Sequence, residues 1–204
     1  MPERDLTVTR ITFLELSEER RMVREGHTLL DEKRMLLAAE ILGGLRRYRE
    51  LRQRWLESLA AARAALAAAV RRHGLDGVVT HPGRPGALGP VSLQARRLLG
   101  LQLADARLEV REAEFEFPPV ESSPEIAACA AQFAGLAAQA AEMAALAASL
   151  RVMARDYVRT GRRARALENV ILPEVEADLR FVEARLESID QEESIRVREA
   201  RGRR

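Results

Sequence analysis

The reactive side chains of this 204-residue chain are few, and they do not gather at catalytic spacing. Its three histidines, His27, His73 and His81, each stand alone. None has a second nitrogen or thiolate at the spacing of a metal site, so each reads as a solvated or packing imidazole. The single cysteine, Cys129, lies in an alanine-rich run, which excludes a disulfide framework and reads as a small packing residue rather than a nucleophile. No G-x-x-x-x-G-K-[ST] occurs, so the chain has no phosphate-binding loop of that kind. The glycines at 83, 86 and 89 neither follow a buried strand nor open a helix. Acid pairs such as Glu18-Glu19 and Glu192-Glu193 read as solvated helix faces, and no serine or cysteine has a histidine and a carboxylate brought to it. The expectation is a chain with no catalytic residue, no cofactor and no metal.

One charged feature remains. The tail I-R-V-R-E-A-R-G-R-R carries Arg196, Arg198, Arg201, Arg203 and Arg204. It reads as a frayed solvated end, as a nucleic-acid contact, or as a tip that enters a protein cavity lined with carboxylates. The formal net charge of +2 and the lack of interleaved aromatics speak against nucleic acid. Lys33 is the only lysine. The arginines elsewhere fit lasting carboxylate contacts or a compositional bias, and both readings stay open.

The elements that position these residues are long helices. Aromatic residues are 4% and charged residues 31%, and alanine inflates the apolar 47%. Alanine buries little area, so a thick layered core is excluded in favour of narrow helical packing. From Ile11 to Val70 there is no proline, and Leu16, Val23, Leu30, Leu37 and Leu51 stand on one seven-residue row with Gly44 in the gap. Ile41, Tyr48 and Trp55 form a second row, and such rows predict a coiled coil roughly 90 Å long at 1.5 Å per residue. The glycine- and proline-rich segment from Gly74 to Pro90 ends this helix. Alternation at Val91, Leu93, Ala95 and then Leu99, Leu101, Leu103 predicts a short β-hairpin, with Ser123 capping the next helix and Pro124 in its first turn.

The second helix, to about Ala200, has a seam of Leu146, Leu150, Met153, Tyr157, Thr160, Ala164, Leu167, Ile171, Val175, Leu179, Val182, Leu186 and Ile189. Its steps alternate four and three except at Leu167–Ile171–Val175–Leu179, where three fours run together around Pro173. That irregularity unwinds a supercoil locally, and it is where a helix-breaking proline is tolerated. Folding the two helices back antiparallel, with paired positions summing to about 200, sets alanine against alanine. It also places Tyr157 opposite Gly43-Gly44, Lys33 near Glu168 and Leu16 near Leu186. The fold class is therefore all-α, a long antiparallel two-helix coiled-coil hairpin with a short β-hairpin middle. Its parts are an N-terminal helix (1–73), a middle segment (74–123) and a C-terminal helix (124–204). The free tip brings Arg4 and Arg10 beside the tail. The stretch from Ala127 to Leu150 is too rich in alanine, with Gln132, Gln139 and Glu142, to predict membrane insertion. No signal-peptide pattern opens the chain.

These segments resemble the D subunit of the central stalk of the rotary V-type and A-type ATPases. That family reads approximately P-T-R-x-x-L and G-x-x-L-L-K-x-K-R-D-x-L near its start; here stand Val8-Thr9-Arg10 and Leu14, then Gly26, Leu29-Leu30, Lys33-Arg34 and Leu36-Leu37. Near its end it reads R-R-x-N-A-L-E-x-V-x-I-P-x-L-E, matched by Arg162-Arg163, Ala166-Leu167-Glu168, Val170, Pro173 and Glu176. Val8 in place of proline, Asp31, Met35 and the alanine between 127 and 148 depart from it. The resemblance implies a non-catalytic rotor shaft that couples rotation of a membrane ion-translocating ring to ATP synthesis or hydrolysis. It implies partners in a hexamer of catalytic A and B subunits, the stalk's F subunit and a funnel-shaped C (or d) subunit. It also implies a peripheral place on the cytoplasmic side of the plasma membrane. Arg10, Arg196, Arg198 and Arg201 are then the expected hexamer-facing tip. The competing class is a free-standing coiled-coil scaffold or nucleic-acid-binding protein.

Overall fold

The computed structural model describes residues 7–80, 88–111 and 123–202. The expectations that fall on Arg4, His81, Gly83, Gly86, Arg203 and Arg204 lie outside the described residues. The element order is α1 (Arg10–Thr80), β1 (Leu88–Leu98), β2 (Leu101–Val110), α2 (Pro124–Ala166), a π turn (Leu167–Ile171) and α3 (Leu172–Gly202). This is the expected order, a long helix, a two-stranded antiparallel hairpin and a second long helical stretch. Gly74 interrupts α1 with φ 70°, a conformation open to glycine, and helix resumes beyond it. Strand β1 begins at Leu88, so Gly89 and Pro90 belong to the strand rather than to the preceding loop. They fall at a register irregularity between Leu88 and Val91, where a strand tolerates both residue types.

The chain divides into two compact units. The first comprises residues 1–36 and 157–204. Thr9 opens α1 as its N-cap, its Oγ1 accepting the Thr12 N–H at 3.1 Å. Val8 and Phe13 flank the cap as a hydrophobic staple, and both pack on the buried cluster of Leu16, Leu179 and Val182. The two sides of the seam run antiparallel. Arg10 Nη2 reaches Asp190 Oδ1 at 3.3 Å, Arg24 Nη2 donates to Glu176 Oε1 at 2.7 Å, and His27 Nε2 lies 3.8 Å from Glu168 Oε2. Val175, Thr160 and Ala164 are buried, and Val23, Leu30, Leu167, Ile171 and Leu186 are half-buried.

Three expectations are corrected here. Glu168 meets His27, six residues before Lys33, so this part of the seam is displaced by between one and two turns of α1 from the expected pairing. Tyr157 lies under the Arg34 guanidinium, 5.8 Å from ring centroid to Cζ, rather than over the Gly43-Gly44 gap. Ile189 is exposed: it lies at the end of the seam, level with the first turn of α1, where Ile11 is exposed as well.

The π turn resolves the run of fours in the seam. Leu172 N–H donates to the Leu167 carbonyl, five residues back instead of four. The wider turn takes up one extra residue, which is what three successive four-residue steps require. An α-helix would also drive the Pro173 ring against the carbonyl four residues earlier, and widening the turn immediately before it relieves that contact. No residue within the turn is buried.

The second unit comprises residues 37–156. Leu37, Leu51, Ala62 and Ala69 from α1 are buried, with Leu136, Ala145, Ser149 and Met153 from α2. The row Ile41–Tyr48–Trp55, half-buried, continues at the same spacing into the fully buried Ala62 and Ala69. Antiparallel cross-links are Arg47 to Glu142 at 2.8 Å, Gln139 Nε2 to Ser58 Oγ at 3.0 Å, and Arg72 to Glu125 at 2.7 Å. Gly44 is the close-approach position, since a Cβ there would stand 2.8 Å from Leu150 Cδ2. Gly43 and Gly135 are helical, exposed and have nothing within 4 Å of an added Cβ. Gly43→Ala and Gly135→Ala should therefore each stabilise the isolated chain by about 0.5–1 kcal/mol, read by thermal or urea unfolding.

The β-hairpin turns through Leu99 and Gly100, whose φ values of 50° and 82° are those of a two-residue type I′ turn. It meets α2 by its edge. Ser149 Oγ accepts the Ala104 N–H at 3.2 Å and donates to the Ala104 carbonyl at 3.0 Å. Backbone groups point sideways in the plane of a sheet, so Ala104 turns the outer edge of β2 toward the helix. Leu103 and Ala106, which lie on opposite faces of the ribbon, are both buried, as an edge-on seat demands.

Candidate functional site

The reactive groups have structural surroundings. Among the described residues no three His, Cys, Asp or Glu side chains gather to hold a metal ion. His73 Nε2 lies 2.7 Å from Ser123 Oγ, and that hydroxyl also accepts the Ile126 N–H as the N-cap of α2. Burial pushes the half-buried Cys129 thiol up from its ordinary value, which lowers its thiolate fraction and its nucleophilicity.

Arg72 Nη1 donates to both oxygens of Glu125 at 2.7 Å. That hydrogen bond is the main cause holding the Glu125 carboxyl below its ordinary value, and its position in the first turn of α2 acts the same way. The folded value lies below the unfolded one, so this pair favours folding above the unfolded value. The benefit fades as pH falls through the depressed folded value. Arg72→Gln should raise the Glu125 titration midpoint toward the ordinary carboxylate range, read by side-chain NMR.

The surface of the first unit carries two features of interest. Arg10 is held to Asp190 and Arg196 to Glu192 at 3.7 Å, all four side chains remaining mostly exposed. Arg198 and Arg201 are exposed and have no salt-bridge partner among the described residues. A shallow groove beside them is lined by Phe13, Glu183, Leu186, Glu187, Asp190 and Gln191, so this end is of mixed sign rather than uniformly basic.

The second feature is a stripe beside the seam that heptad spacing alone does not reveal. Met22, Leu29 and Leu36 stand seven apart on α1, and each is more than half exposed, as are Ile11 and Leu14. They flank the buried row one residue away, and the doublets Leu29-Leu30 and Leu36-Leu37 are its signal in the sequence. Exposed apolar side chains that recur along one helix face in this way make a candidate contact surface. In the second unit the least charged part of α2 contributes a window of 18 residues with mean hydropathy 1.3. Alanine supplies that value, and Gln139 and Glu142 within this part bond across to α1.

A family model described as the D subunit of ATP synthase matches residues 12–202 of the chain. The chain is 26% identical to the D subunit of the A-type ATP synthase of Methanopyrus kandleri, over 95% of its own length and 84% of that protein's. It is 28% identical to the D subunit of the A-type ATP synthase of Thermococcus gammatolerans, covering 93% of this chain and 90% of that one. With the D subunit of the V-type ATP synthase of Thermus thermophilus the identity is 25%, over 96% and 87%.

Proposed function

The chain belongs to the family of ATP synthase D subunits, and on that premise we propose that it is the central-stalk rotor of a V/A-type ATP synthase and performs no chemistry itself. The observation that carries the reading is the antiparallel seam of the first unit, where the two ends of the chain are zipped from Arg10–Asp190 through Arg24–Glu176. Interlocked helix pairs resist twisting, and torque transmission needs that stiffness. A pair of helices has no threefold axis. Turned inside a ring of catalytic A and B subunits, it presents different contacts to each of three equivalent sites. Different contacts are different free energies, which is all that coupling between rotation and nucleotide affinity requires.

The partners in this reading are that hexamer, the stalk's F subunit and a funnel-shaped C (or d) subunit above the membrane ring. The place of the chain is peripheral, on the cytoplasmic side of the plasma membrane. Arg10, Arg196, Arg198 and Arg201 face the hexamer, where charged contacts steer without sticking. The seam residues supply stiffness, and the Met22–Leu29–Leu36 stripe supplies apolar contact to a neighbour in the complex. The nucleic-acid alternative has nothing in its favour, since Glu199 stands among the tail arginines and Glu192 pairs with Arg196.

The test is co-expression with the F subunit and the hexamer. The chain should co-purify with both, and alone it should hydrolyse no ATP. Neutral replacement of all four arginines should lower coupled ATP synthesis with the unfolding midpoint unchanged. Unchanged synthesis would refute the tip assignment, and turnover by the isolated chain would refute the rotor reading.

A further inference from the structure

Among the described residues, strand β1 is the least covered element of the second unit: Arg96 lines a cavity with residues of both helices, and the rest of the strand is mostly exposed. Its partner β2 gives its outer edge to Ser149, through both backbone groups of Ala104. Ala104 pairs with Ala95, so the backbone alternation of an antiparallel ladder is fixed. The N–H and C=O groups of Ala95, and with it Val91, Leu93 and Arg97, point away from β2 toward the free side of β1. An exposed row of this kind is a template for another strand, and a two-stranded ribbon is marginal without further support. The side chains along it are equally uncovered: Val91 is 52% and Leu93 69% exposed. The strand carries Arg96 and Arg97 and no acidic residue. Among the described residues neither arginine has a salt-bridge partner.

From this geometry we infer that the outer edge of β1 is a strand-addition site for an extended segment of another protein of the complex, with apolar side chains over Val91 and Leu93 and a carboxylate at the level of Arg97. Main-chain hydrogen bonds to Leu93 and Ala95 supply the attachment, and the side chains supply the choice of partner. Charge decides against a second copy of this chain, because pairing β1 with itself would place four arginines on one ribbon without a carboxylate between them. The inference rests on the stalk reading above for the assembly that provides the segment.

The experiment is amide hydrogen exchange at Leu93 and Ala95, in the isolated chain and in the purified ATP synthase complex. Both amides should exchange freely in the isolated chain and slow by about a hundredfold or more in the complex. Ala95→Pro removes an outward donor without breaking a bond to β2, so it should abolish the protection at Leu93 while the chain still enters the complex. Free exchange in both states overturns the inference. So does protection already present in the isolated chain, which at constant mass means cover by the chain itself and at doubled mass means a second copy. Protection at Leu93 that survives Ala95→Pro overturns it too, because side-chain cover then suffices. A chain that enters no such complex refutes the stalk reading and this inference together.

Discussion

Deleting Pro173 should make the isolated chain more stable, by about 1–3 kcal/mol. Most single-residue deletions inside a helix rotate everything beyond them out of phase. Here the phase is already displaced by one residue, and the π turn at Leu167–Ile171 absorbs it. Removing position 173 brings Val175, Leu179, Val182 and Leu186 one residue closer, and the steps from Ala164 onward become three, four, three, four without interruption. The Leu172 N–H can then bond four residues back, and the ring that obstructed a regular turn is gone. The expected result is a higher unfolding midpoint and a continuous α-helix through 160–180, read from backbone carbon shifts. A lower midpoint, or a π turn that persists, would show that the extra residue is held by something other than the seam and the proline.

Val182→Asp should have the opposite sign and a larger effect. Val182 is fully buried between Leu16 and Leu179, at the centre of the only clustered core of the first unit among the described residues. A carboxylate there must either ionise in an apolar site or stay protonated without a partner, and the cost is about 3–5 kcal/mol. Helical content measured on the isolated chain should fall together with the unfolding midpoint. Phe181→Asp is the control: this neighbour in sequence is 50% exposed with its ring against the Arg185 guanidinium, and the same carboxylate there should cost only about 1 kcal/mol. Equal losses from both would mean that burial is not what distinguishes the two positions.

The residue pattern made the elements legible and left their mutual register loose, and the reason is the same repeat. A row such as Leu16–Val23–Leu30–Leu37 identifies a helix face because it recurs every seven residues. For that reason it also accepts several alignments with an equally periodic partner. Arg24–Glu176 fell where alignment by the alanine patches puts it, whereas His27–Glu168 did not. Gly44 carried real information, a close approach, but its visitor is Leu150 and not a ring. The run of fours around Pro173 was visible, yet whether a chain absorbs an extra residue by unwinding or in one widened turn depends on local carbonyl geometry. Strand edges were harder still. Gly89 and Pro90 read as loop because a lone strand tolerates them only at an irregularity, and nothing local announces one. The candidate contact surfaces were the least legible. Met22, Leu29 and Leu36 have the spacing of core residues, and only the packing shows that they face outward.

Ala62 and Ala69 are sealed from solvent as completely as Leu37, yet each removes far less hydrocarbon from water. A zipper of methyl groups is shut by closeness and held by little, so the alanine end of the second unit should breathe before the leucine end does. Limited proteolysis of the isolated chain would find that difference first, with early cuts at the arginines nearest the alanine stretch, Arg63 and Arg71. In a working assembly, that same stretch would depend on its neighbours to stay closed.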